Sequence, residues 1–99
     1  MKIYILSFEF QFHGEVFVRS VHMTKKGAMI EQLTYLCMTL LEYEHNPEDV
    51  ELIDSILLGS DTIREGLTMA ELANKIEAVE NLAKYSEIYT EIVEQTLYP

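Results

Sequence analysis

The chain has 99 residues, 48% of them apolar with ten aromatics, and a formal net charge of −10. That apolar share excludes a disordered segment despite the charge, and the length fits one domain, residues 1–99, with a core of its own. The single cysteine, Cys37, excludes an internal disulfide, and no apolar run approaches the ~20 residues of a membrane-spanning helix. The short run Ile3–Leu6 is too brief for a signal-peptide core, so a cytoplasmic address is expected, a host's cytoplasm if the chain is phage-encoded.

The charge is unevenly placed. Residues 42–99 hold fourteen acids and three bases, whereas residues 1–41 hold three acids and four bases. No base lies between Lys26 and Arg64. Such a field repels nucleic acid and anionic membrane and attracts basic protein surfaces.

Ser7 to Phe12 alternates apolar and polar residues with period two, which predicts a strand. His13-Gly14 supplies a turn, and Glu15 to Met23 reads as the return strand. A two-residue loop sets Phe10 opposite Phe17, Phe8 opposite Arg19, Leu6 opposite Val21 and Tyr4 opposite Met23. One face of this ribbon is then apolar, while the other carries Ser7, Glu9, Gln11 and Ser20.

Thr24 caps a helix predicted to run to about Glu44, with Met29, Ile30, Leu33, Leu36, Cys37, Leu40 and Leu41 on one apolar arc. Asn46 as N-cap and Pro47 at the first position, with Glu48 and Asp49 behind them, start a second helix. It should stop near Leu58, with Gly59 as the signal. Residues 60–66 form a connector with room for one short turn.

Thr68 and Glu71 form a capping box, and Leu67 can staple onto Leu72. Glu77, Glu80, Lys84, Glu87, Glu91 and Glu94 then recur at three-four spacing, which favours one helix over residues 69–97. That helix would be about 43 Å long, against a domain only about 33 Å across. It must therefore break near Tyr85-Ser86 or project toward a partner. The β-branched and aromatic run from Tyr89 to Tyr98 offers a competing strand. The expected fold class is α+β: an antiparallel hairpin over 1–23 packed against about three helices within 24–99, the C-terminal one long or bent.

Chemistry-bearing groups are sparse. His13, His22, His45 and Cys37 match no zinc spacing, and Cys37 lies on the apolar arc as an inert thiol. No serine stands in a G-x-S-x-G context, and the glycines are too isolated to cradle phosphate. Neither an enzyme nor a cofactor or metal is expected. Leu67 to Val93 resembles a helix-turn-helix in its Leu-Thr start and Glu71-Leu72-Ala73. Its recognition segment, however, carries Glu77, Glu80, Glu87 and Glu91 where a DNA reader needs Lys and Arg.

The acids are the feature with functional reach. B-DNA carries one charge per ≈1.7 Å, so about twenty fall along 33 Å, and the acidic half reaches a fair fraction of that density. Glu42, Glu44, Glu48, Asp49, Glu51 and Asp54 form one candidate partner-binding group, and Glu77, Glu80, Glu87, Glu91 and Glu94 a second row. Both address Lys and Arg on a basic, nucleic-acid-binding protein. In small size, acidity and lack of catalytic motifs, the chain resembles phage-encoded inhibitors of host defence, such as anti-CRISPR and anti-restriction proteins. The likeness lies in composition, so no residue role follows from it. The alternatives are an adaptor or oligomerisation domain using the aromatic hairpin (Phe10, Phe12, Val16 and Phe17) and a small-molecule-sensing domain. A homodimer is compatible with the ribbon's open edges.

Overall fold

The computed structural model describes residues 1–10, 15–43, 46–57, 59 and 61–98. Their order is β1 (Lys2–Phe10), β2 (Glu15–His22), α1 (Lys25–Tyr43), α2 (Pro47–Leu57), α3 (Asp61–Glu65), α4 (Met69–Ala83), a 3-10 turn (Lys84–Ser86) and β3 (Ile88–Thr96). The fold is α+β, with strands at both ends of the sequence. The three strands make one antiparallel sheet ordered β2-β1-β3.

The last element corrects the favoured helix over 69–97. α4 ends at Ala83, and the competing strand occupies the C-terminus. Residues 24–99 are thus not wholly helical. The chain turns at the expected Tyr85-Ser86 break, where Glu87 takes the left-handed conformation at φ 56° and donates its N–H to Lys84 O at 3.1 Å. β3 then pairs with β1 along its whole length, from Ile88 opposite Phe10 to Thr96 opposite Lys2. A two-stranded ribbon is marginal alone, and this third strand makes a sheet of it.

The hairpin register also differs from expectation. Phe8 lies opposite Phe17 and Phe10 opposite Glu15, two residues closer to the tip than a two-residue loop allows. The turn residues 11–14, including His13 and Phe12, lie outside the described residues. A slip of two keeps each side chain on its face, but a bulge follows at Arg19, between the Ser7–Val18 and Leu6–Ser20 pairs. Beyond it the faces exchange relative to expectation. Val21 joins the Ser7–Glu9 side, and Ser20 joins the Leu6–Phe8 side, where its Oγ bonds His22 Nε2 at 2.8 Å.

α1 lies across the Leu6–Phe8 face. Gln32 Nε2 donates to Thr90 Oγ1 at 2.9 Å, and the Phe8 and Tyr35 rings are 5.0 Å apart. Arg19 sits over the Tyr35 ring and pairs with Glu31 at 3.3 Å. α4 packs along α1, and α2 packs on both helices. The core forms between them from the predicted arc of Met29, Leu33, Leu36, Cys37 and Leu40, joined by Ile53, Ile56, Leu72, Ile76, Val79, Ala83 and Ile88. Ile30 and Leu41 of that arc are partly buried against it.

Local start and stop signals hold as read. Thr24 Oγ1 accepts from Gly27 N, and Asn46 Oδ1 accepts from Glu48 N, both at 3.0 Å. The Thr68–Glu71 box is closed in both directions at 3.1 Å. Past α2, Gly59 has φ 76°, and buried Arg64 reaches back from α3 to donate to Leu57 O at 2.5 Å. A cation thus meets a carbonyl at the helix's C-terminal end, where its charge is favourable, and the glycine takes the left-handed conformation that stops helices.

Candidate interaction surfaces

The first acidic group survives as a surface. Glu42 is exposed in the last turn of α1, and Glu48, Glu51 and Asp54 are exposed on α2, while Asp49 is half-buried. Glu44 lies outside the described residues. On a helix, residues 48, 51 and 54 succeed one another at three-residue steps and share a side. Among the described residues none of these carboxylates is bridged to a base, and α2 has no base in its last turn. Like charges so placed each cost a few tenths of a kcal/mol, and among the described residues no base is bridged to them.

The second row does not exist as a row, because it required one continuous helix. Glu77 is exposed and Glu80 half-buried on α4, and Glu87 occupies the turn. Glu91 and Glu94 lie on β3 with odd spacing and so point to opposite faces of the sheet. Glu94 accepts from Tyr4 Oη at 3.1 Å and pairs with Lys2 at 3.7 Å, so it is engaged inside the molecule. Partial burial raises the Glu80 carboxyl above its usual range, Lys84 opposing and Glu77 adding to the shift.

A second surface follows from the sheet. With α1 on one face, the other carries Ile3, Ile5, Ser7 and Glu9 of β1. Val16, Val18 and Val21 of β2 lie opposite Glu9, Ser7 and Ile5. From β3, Tyr89, Glu91, Val93 and Gln95 lie opposite Glu9, Ser7, Ile5 and Ile3. Among the described residues no helix covers this side. Val16 and Val18 are each 65% exposed, Val21 56% and Val93 43%. The molecule is correspondingly thin, 17 Å in its shortest extent against 50 Å in its longest. The sequence reading missed this face, because helix over 88–96 left the sheet without its third strand. The signal available was the β-branched spacing of Ile88, Thr90, Ile92 and Thr96.

Of the hairpin residues in the adaptor reading, Val16 is 65% exposed on β2, and Phe12 lies outside the described residues. Phe8 stacks on Phe17 at 5.4 Å and packs against the Tyr35 ring at 5.0 Å. Phe17 nevertheless stays 42% exposed at the edge.

Groups with chemistry are scattered. Cys37 is fully buried and free, its thiol pushed up to about 12, chiefly by burial. Ser20 holds His22, and His13 and His45 fall outside the described residues. Among the described residues no cluster of His, Cys, Asp and Glu is suited to a metal ion, and no helix is long and apolar enough to cross a membrane. No protein-family model, curated protein or solved structure matches the chain.

Proposed function

We propose that the protein is a non-enzymatic interaction module, an inhibitor that presents its acidic helical surface to the basic, nucleic-acid-binding site of another protein, in the manner of phage anti-defence proteins. The observation that carries this reading is the exposed set Glu42, Glu48, Glu51 and Asp54, unbridged to any base among the described residues. A surface that holds like charges together at a cost in stability gains from a partner that supplies the opposite sign. Competition with nucleic acid follows directly, since both would occupy the same Lys and Arg side chains.

The test is affinity capture on the immobilised chain, with and without nuclease, eluted along a salt gradient. A basic nucleic-acid-binding protein released at modest salt and displaced by added DNA or RNA is the expected result. A partner retained through high salt and indifferent to nucleic acid would overturn the reading. It would favour the second one, an adaptor or oligomerisation domain, which the uncovered apolar face of the sheet supports.

A further inference from the structure

On the uncovered face of the sheet, Glu9 and Glu91 sit diagonally across the β1–β3 pair, with Ser7 directly opposite Glu91. Diagonal neighbours of this kind stand about 7–8 Å apart at their Cβ atoms. Together with Val16 and Tyr89 these residues line an open hollow of about 360 Å³. Ser7 forms the floor. It is only 8% exposed, and no hydrogen bond to its hydroxyl exists among the described residues. The hollow thus sets a serine hydroxyl beside two carboxylates, with Val16 at its rim.

We propose that this notch receives one lysine or arginine side chain from an extended apolar segment of a partner protein. The cation would lie between Glu9 and Glu91 and donate to Ser7 Oγ, while Val16 and Val18 pack against its aliphatic stem. Flanking apolar residues of the segment would cover Ile5, Val21 and Val93, which occupy one row across the three strands. The charge pattern selects this occupant over a second copy of the chain. The face carries Glu9 and Glu91 and no base among its described residues, so two stacked copies would bury four carboxylates without a counter-charge. The site goes beyond the acidic helical surface, since it lies on the face turned away from α1.

The test is an NMR titration of the full-length ¹⁵N-labelled protein with three short peptides of valine and threonine. Their central residue is lysine, norleucine or glutamate, so that stem and charge are separated. Saturable shifts of the amides around Ser7, Glu9, Val18 and Glu91 are expected with the lysine peptide. Its affinity should exceed that of the norleucine peptide by about tenfold or more. The E9Q/E91Q variant keeps the shape of the face, and its preference for lysine should fall to within about twofold. Equal binding of the lysine and norleucine peptides would overturn the proposal, as would shifts confined to α2 or no shift at millimolar peptide. Concentration-dependent shifts of the same amides without peptide, with a dimer mass in sedimentation, would assign the face to a second copy and equally overturn it.

Discussion

Cys37 sits wholly buried among Leu33, Leu36 and Leu40 of α1 and the facing residues of α2 and α4. With its thiol at about 12, the thiolate fraction at pH 8 is about one in ten thousand. Thiol reagents should therefore leave the folded protein unmodified and label it at the rate of global unfolding, which labelling across a denaturant series will check. Cys37→Ser should cost about 1–3 kcal/mol by burying a hydroxyl without a partner. The capping box is the other residue-scale device. Thr68→Ala should cost about 1 kcal/mol in urea unfolding. Hydrogen bonds from Thr68 hold the Glu71 carboxyl below its usual 4.5. Its contribution is therefore present above that value and is lost as pH falls through the lower, folded one. Glu80, raised by partial burial, acts with the opposite sign, gaining for the folded state as pH falls. Glu71→Gln should thus flatten the Glu71 part of the acid limb while leaving the Glu80 part, which the difference between the two proteins' stability curves from pH 3 to 6 will show.

At the scale of elements, the turn at Glu87 decides the fold. A non-glycine residue in the left-handed region is strained by about 1–2 kcal/mol, and here it switches the chain from the 3-10 turn into β3. Glu87→Gly should raise stability by up to about 1 kcal/mol once glycine's own entropy is offset, and Glu87→Val should lower it. Thermal unfolding of the pair checks both signs, and a gain from valine would argue against the turn. The same turn explains what could be read in the sequence. Caps announce α1, α2 and α4, and all three starts were legible from Thr24, Asn46-Pro47 and Thr68–Glu71. No glycine or proline announces the end of α4, and the spacing of Glu77, Glu80, Glu87, Glu91 and Glu94 imitates a helical stripe. The bulge at Arg19 was illegible for a different reason. It follows from fitting β2 onto both β1 and α1, which no local pattern records. The apolar arc of α1 was legible because its period is a property of one helix, whereas the outer face of the sheet joins three segments distant in sequence.

At the scale of the whole molecule, the protein has two unlike surfaces on opposite sides. One is the acidic edge of α1 and α2; the other is the apolar face of a sheet only one layer from solvent. The first was partly legible as a count of acids, because charge needs no fold to be read. Its second row was not, since that grouping depended on a helix the chain does not form. The acidic edge carries the account of function, and its strength should lie in long-range attraction that weakens with salt. The most direct measurement compares the native protein with the E48K/E51K/D54K variant in capture of a basic nucleic-acid-binding partner over a series of salt concentrations. Binding of the native protein should fall with salt and compete with DNA, and the variant should lose about tenfold or more in affinity with a shallower salt slope. Equal affinity and an equal slope in the two proteins would contradict this reading.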